Sequence, residues 1–316
     1  MIWAYLAHLS FNMWEEADAP IPEDVSPYMR RVLEMRKARP ELSFDEGTWE
    51  EMLAAFQANG INMVVLDLGN SVRYESHPEV AVRNAWTPAR LREEVARLRA
   101  LGIEPIPKLN FSTTHDEWLG PYARGVSSDA YYAVCRDLIA EVNALFDRPR
   151  FFHIGMDEET ANHQRFARYA VMRQLDLWWH DLYFLQEQVE QAGVRAWVWS
   201  DYIWHHPDEY LRKMPKSVLQ SNWYYGAQFS KKDIKVNAYL QLEEHGFEQI
   251  PTGSTWSCEE NFPNTVKYCA RRIGRERLAG FMQAPWFPTR AEHRQVLVQA
   301  AEVTGAARGL IARRPT

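Results

Sequence analysis

The chain predicts an α/β protein of the (β/α)8 or TIM barrel class, and three observations predict it. Eight short runs rich in β-branched and aromatic residues recur along the 316 residues, each followed by a stretch with helical spacing. The runs are continuously apolar and do not alternate with polar residues, which is the pattern of parallel strands covered on both faces. The units fill the length, and eight βα units in roughly 250–320 residues make one barrel with no room for a second domain. The expected organisation is therefore a single catalytic barrel over 1–316, with an insertion at about 15–47 after the first strand. An open doubly wound sheet is the alternative. It would need a glycine-rich phosphate turn after the first strand, where this chain has SFNMWEE at 10–16.

The first run, 2–9, lies in MIWAYLAHLSFNMW, which lacks the basic start and small-residue cleavage site of a signal peptide and so reads as a strand. A polar, proline-containing insertion follows, then a helix over about 48–59 closed by Gly60. The second run is INMVVLDLG at 61–69. Thr87 as cap and Pro88 in the first turn open a helix that ends at Gly102. The third run is 103–111, and Ser127 or Ser128 caps a helix reaching about Phe146. The fourth is 150–157, followed by a helix over about 176–192 that stops at Gly193. The fifth is 194–202 with a short helix over 207–213. The sixth is 217–225 with a helix over 233–245 ending at Gly246. The seventh is 248–256 with a helix over 262–273 ending at Gly274. The eighth is 278–286, and the last helix begins near Arg290.

A net charge of −6 and a pI near 6.0 argue against a nucleic-acid partner, which needs a basic face. No run of ~18 apolar residues is present, so no membrane partner is expected. The cysteines, Cys135, Cys258 and Cys269, are odd in number and scattered, which fits neither a disulfide framework nor a zinc site. The expectations are no metal, no cofactor and a cytoplasmic protein, with a trimmed signal peptide as the alternative. Aromatic residues make up 13% of the chain, including 13 tryptophans; a core uses some of these, and an aromatic-rich carbohydrate site would use more. Flat apolar rings with a polar handle suit a carbohydrate partner.

In a (β/α)8 barrel the functional residues stand at the C-terminal ends of the strands. Those ends carry Asn12 and Trp14, then Asp67 and Asn70, then Lys108, Asn110 and His115, then His153, Asp157 and Glu158. They continue with Trp199, Asp201 and Tyr202, then Asn222, Trp223, Tyr224 and Tyr225, then Thr255 and Trp256, and finally Gln283 and Trp286. Of these, Asp67, Asn110, His115, His153, Trp199, Tyr202, Asn222, Trp223, Tyr224, Trp256 and Trp286 are the candidate substrate-binding residues. Asp157 and Glu158 are the catalytic candidates.

Three adjacent acids, Asp157, Glu158 and Glu159, close a buried strand, where a core has no use for them. Glycoside cleavage needs a protonated carboxyl beside the leaving oxygen and an anionic or nucleophilic group at the anomeric carbon. Neighbours in sequence diverge, so one can reach the sugar and the other the glycosidic oxygen. Mutual repulsion is expected to keep Glu158 protonated near neutral pH. Glu159 reads as a cap or a solvated acid. His153 reads as structural support, His115 as balanced between support and function, and His205-His206 as a solvated loop.

His153-Ile-Gly-Met-Asp157-Glu158 resembles the His-x-Gly-Gly-Asp-Glu motif of glycoside hydrolase family 20, the β-N-acetylhexosaminidases, which lies at the end of barrel strand 4. IPKLNFSTTH at 106–115 resembles the family's strand 3 segment ending in Pro-Gly-His. Trp199 in VWSDY is similar to the strand 5 Trp-Asp-Glu segment, and Trp286 to the strand 8 tryptophan. The likeness runs from about 61 to 290. It implies substrate-assisted retaining hydrolysis of a terminal sugar. Asp157 would orient the 2-acetamido group and Glu158 would act as general acid/base. His115 would hydrogen-bond near the site, and Trp199 and Trp286, with Trp223 or Trp256, would wall the sugar.

The chain also departs from the motif. Met156 replaces the second glycine, the first strand has no arginine, the strand 7 Tyr-Leu-Asp segment is absent, and Phe287 stands where the family has Glu. The alternatives are a glycosidase for a sugar without an acetamido group and a carbohydrate-binding barrel without hydrolysis. A metal-dependent hydrolase ranks below both, because His8 is isolated in its strand. The insertion is expected to shape either the cleft or a homo-oligomer interface.

Overall fold

A computed structural model describes residues 1–312. Eight parallel strands form its centre: β1 (Ile2–His8), β2 (Met63–Asp67), β3 (Glu104–Lys108), β4 (Phe151–His153), β5 (Arg195–Trp199), β6 (Leu219–Ser221), β7 (Thr252–Gly253) and β8 (Gly280–Gln283). They are hydrogen-bonded in the order β6-β5-β4-β3-β2-β1-β8-β7. The β6–β7 seam closes through two parallel bridges, Gln220 with Gln249 and Trp223 with Thr252. Backbone hydrogen bonds from Ile250 to Gln220 (2.8 Å) and from Thr252 to Asn222 (2.9 Å) stitch the same seam. The (β/α)8 barrel expected from the apolar runs is thus the architecture. Every residue of β1 and β2 is buried, as strands with a barrel interior on one face and helices on the other must be.

The outer layer is α1 (Pro27–Arg36), α2 (Glu46–Asn59), α3 (Pro88–Ala100), α4 (Asp129–Leu145), α5 (Asp176–Gln191), α6 (Pro207–Lys213), α7 (Ile234–Glu244), α8 (Asn261–Arg272) and α9 (Arg294–Ala312). The caps follow local chemistry. Thr87 accepts from the Arg90 N–H and Ser128 from the Tyr131 N–H, as their sequence positions suggest. At α2 the cap is Asp45, three residues before the expected start, and it accepts from both the N–H and the hydroxyl of Thr48. The insertion is not wholly irregular, because α1 lies inside it. Its end is tied to the exit of β1. Ala38 donates to the Glu15 carbonyl (2.8 Å), and Asn12 exchanges two 2.8 Å hydrogen bonds with the backbone of Arg39. This pinning brings α1 over the mouth of the barrel.

Candidate active site

The sheet hydrogen bonding continues past β4. Phe111 donates to Ile154 (3.0 Å) and Trp199 to Gly155 (3.0 Å), which draws residues 154–158 onto the rim between β3 and β5. The backbone then turns sharply: Gly155 has φ 75°, Met156 72° and Glu158 59°. Left-handed backbone at residues with a side chain is costly and persists where the surroundings over-determine it. Asn110 does much of this. Its Oδ1 accepts from the Ser112 N–H (3.1 Å) and the Met156 N–H (3.3 Å), and its Nδ2 donates to Asp157 Oδ1 (2.8 Å). A Cβ on Gly155 would stand 1.9 Å from Asn110 Oδ1, so only glycine fits there. The Thr114 hydroxyl donates to the Glu158 carbonyl (2.7 Å), and the Glu158 N–H donates to Asp201 Oδ2 (2.9 Å).

His115, from the β3–α4 loop, bridges the two acids. Its Nδ1 stands 3.2 Å from Asp157 Oδ1 and its Nε2 3.5 Å from Glu158 Oε2. Burial opposes its charge, but the two carboxylates outweigh burial and raise its pKa to about 9. Burial also works against the charge of Asp157, yet His115, Lys108 and Asn110 hold its pKa well below the usual range. The same balance lowers Glu158, with His115 and His163 overcoming burial. The carboxyl of Asp201, beside them, shifts the other way. Burial first, then the Asp157 charge, push its carboxyl well up. The expectation that repulsion keeps Glu158 protonated near neutral pH therefore fails in this structure, because the sequence does not show the imidazolium between the acids. Donor atoms of His115, Asp157 and Glu158 all lie within 4.8 Å of one another, close enough to consider a cation. Both ring nitrogens of His115 face a carboxylate, so the three side chains partner one another directly.

These acids open into a cavity of about 210 Å³. Trp14, Trp223, Trp256 and Trp286 wall it, with Tyr225 and Arg36 completing the lining. Trp286 has φ 58°, and its Nε1–H donates to the Tyr225 hydroxyl (2.8 Å). The Arg36 guanidinium lies 4.6 Å from the centre of the Trp14 ring, with its Nε buried and unpartnered.

Among the sequence candidates, the structure brings His115, Asp157, Glu158, Trp223, Trp256 and Trp286 together at this cavity. Asn110 and His153 stand behind it. His153 is wholly buried and neutral, and its Nδ1 accepts from the Gly155 N–H at 3.1 Å. Trp199 is also wholly buried, against His153 and behind Trp286. Tyr202 stacks on Trp178 (4.1 Å) and lines a second cavity.

Three candidates point elsewhere. Asp67 is an ion-pair partner of buried Lys108 and His8. Asn222 braces Trp204 and the Lys235 carbonyl. The Tyr224 hydroxyl donates to Gln228. Side chains alternate along an extended run, so Trp223 and Tyr225 share the cavity face while Asn222 and Tyr224 leave it. That rule would have selected Tyr225 from the sequence. Glu159 is neither a cap nor solvated. Its side chain is 4% exposed, ion-paired with Arg173 and accepting from the Thr113 N–H (3.0 Å). Arg36 carried no sequence signal, because only the folded insertion delivers it.

No protein-family model matches the chain, and no curated protein matches it in sequence. Solved structures do. A β-N-acetylhexosaminidase from Bacteroides fragilis superposes with a TM-score of 0.62 at 12% identity, over 96% of this chain and 65% of that one. Dispersin B gives 0.54 at 15%, over 84% of this chain and 94% of its own. A family 20 exo-β-N-acetylglucosaminidase from Vibrio harveyi, solved with N-acetylglucosamine, gives 0.58 at 14%, over 84% of this chain and 52% of that one. The chain thus spans 65% of the Bacteroides protein and about half of the Vibrio one. What it shares with them at these identities is the barrel fold.

Proposed function

We propose that the protein is a retaining glycoside hydrolase that removes a terminal β-linked N-acetylhexosamine with the help of the sugar's own acetamido group. The observation that carries this is the Asp157–Glu158 pair, joined by His115 at the mouth of a tryptophan-walled cavity of about 210 Å³. The motif resemblance and the barrel fold shared with β-N-acetylhexosaminidases support it.

In the first half-reaction the acetamido oxygen attacks C1 while protonated Glu158 gives its proton to the glycosidic oxygen. The C1–O bond breaks and a cyclic oxazolinium ion forms. Asp157 stays anionic and is held in place by Asn110 and His115. It accepts the acetamido N–H and stabilises the positive charge as it develops. In the second half-reaction Glu158 takes a proton from water, which attacks C1 and reopens the ring with the β configuration restored. The rings of Trp223, Trp256 and Trp286 pack against the sugar and exclude bulk water. Arg36 supplies hydrogen-bond donors for sugar hydroxyls that the first strand lacks.

The test is nitrophenol release from β-linked aryl glycosides of N-acetylglucosamine, N-acetylgalactosamine, glucose and galactose. The reading expects turnover of the acetamido sugars alone. Glu158→Gln should lose activity by at least the 10²–10⁴-fold that a general acid commonly contributes. Turnover of glucose or galactose would place the nucleophile on the protein and defeat the substrate-assisted assignment.

A further inference from the structure

Glu158 stands in a wall shared by two cavities. On one side is the tryptophan-walled cavity already described. On the other is a cavity of about 140 Å³ between segment 156–163, the turn at 201–206 and the first turn of α7. His163 Nε2 is 3.3 Å from Glu158 Oε1, and His115 Nε2 is 3.5 Å from Oε2, so a histidine flanks each oxygen. A glycosidase acid hands its proton to the oxygen that joins the sugar to the leaving group, so the leaving group emerges beside the acid, next to the sugar cavity. We propose that the smaller cavity is the leaving-group subsite and that it takes an acidic sugar, a hexuronate. This rests on the hydrolase reading above.

Aromatic stacking does not define this cavity, because its rings already face one another. Trp178 stacks on Tyr202 at 4.1 Å, and Tyr202 stacks on His206 at 4.4 Å. Trp204 meets Trp223 at 4.4 Å, and the Lys235 ammonium lies 4.6 Å from the Trp204 ring and 5.3 Å from that of Trp223. Polar and charged contacts remain for a ligand. Among the described residues, Lys235 Nζ has no carboxylate within ion-pair distance. Its backbone is held by Asp233 and Asn222.

The acids in the same wall do not neutralise Lys235. Glu159 is committed to Arg173 and Glu158 to His115 and His163, while burial disfavours the charge of Asp201. Asp201, 8% exposed, also leaves Oδ1 buried without a hydrogen-bond partner. A buried orphan oxygen at a cavity wall is a place for a ligand hydroxyl. Lys235, which lines the same cavity without an ion-pair partner among the described residues, calls for a carboxylate, and a hexuronate carries both a carboxylate and hydroxyls.

The test uses methyl β-D-glucuronide and methyl β-D-glucoside, bound to the whole protein and followed by tryptophan fluorescence and ligand-observed NMR. No bond is cut in either measurement. Wild type should bind the glucuronide at least tenfold more tightly. Lys235→Met should erase that preference, and Lys235→Arg should keep it. A far-ultraviolet circular dichroism spectrum of each variant establishes that it is folded. Equal binding of the two glycosides by wild type, or a preference that survives in Lys235→Met, overturns the proposal. Silence in the nitrophenol panel together with Lys235-dependent glucuronide binding would count against the hydrolase reading and leave the acidic-ligand chemistry standing.

Discussion

His115 sets the electrostatics of the site. An imidazole between two carboxylates, 3.2 Å from one and 3.5 Å from the other, is held charged and holds both acids ionised. The sign of the pH dependence follows. A general acid works protonated, so kcat/KM falls as pH rises through the pKa of Glu158 in the free enzyme. The His115 charge lowers that pKa, so the proposed hydrolase should work best on the acid side of neutrality. His115→Gln removes the charge and should raise the pKa of Glu158, moving the falling limb to higher pH. A kcat/KM profile from pH 4 to pH 9 on an aryl glycoside reads the shift, and a limb that stays put or moves down would refute the account. Asp201 shows why neighbour repulsion alone misleads: the carboxyl pushed well up is not one of the adjacent pair but this third acid, by burial first and then by the charge of Asp157.

At the scale of elements, the insertion and the segment after β4 do work that no strand does. Helix α1 ends at Arg36, and hydrogen bonds between Asn12 and Arg39 hold that end against the first strand. Arg36→Ala should raise KM for the aryl N-acetylhexosaminide about tenfold or more. Hydrogen bonds from a charged donor are worth roughly 1.5–3 kcal/mol. Steady-state kinetics separates this loss of binding from any change in kcat. Behind the acids, Arg173 is fully buried and ties together Glu159, Asp181, the Tyr131 hydroxyl (2.8 Å) and the Phe111 carbonyl (3.1 Å). Arg173→Met would take from two buried carboxylates the cation they share. The expected loss is on the order of 3–5 kcal/mol of unfolding free energy, measured by urea titration at pH 7.

The whole molecule is closed by contacts between its ends. Strand β1 pairs with both β2 and β8. The Tyr5 hydroxyl donates to Leu297 in α9 (2.8 Å), and the Thr289 hydroxyl donates to the His8 carbonyl (2.8 Å). Helix α9 packs across α2 and α8. Contacts this distant in sequence form late and together, so the barrel should unfold as a unit. A chain stopped before Arg294 loses α9 and bares the apolar faces of β1 and α2. It should show no cooperative thermal transition by circular dichroism. A sharp transition near that of the intact protein would show that the barrel closes without its last helix.

The sequence by itself determined the barrel. Continuous apolar runs, Thr87 and Ser128 as caps and the glycine stops at Gly60 and Gly102 are local signals, and each acts on its own few residues. It also placed Asp157 and Glu158 at a strand end, because a strand's end and an acid's cost of burial are both readable along the chain. It did not determine where Arg36 goes, since a residue in an insertion acquires its neighbours only when the chain folds back over the rim. Nor did it determine whether Asp67 and Glu159 face a ligand. Lys108 and Arg173 claim them across 41 and 14 residues of chain. The charge on Glu158 was decided the same way. An ionisable group responds to whatever lies within a few ångströms, and only the tertiary structure sets His115 on one side of it and His163 on the other.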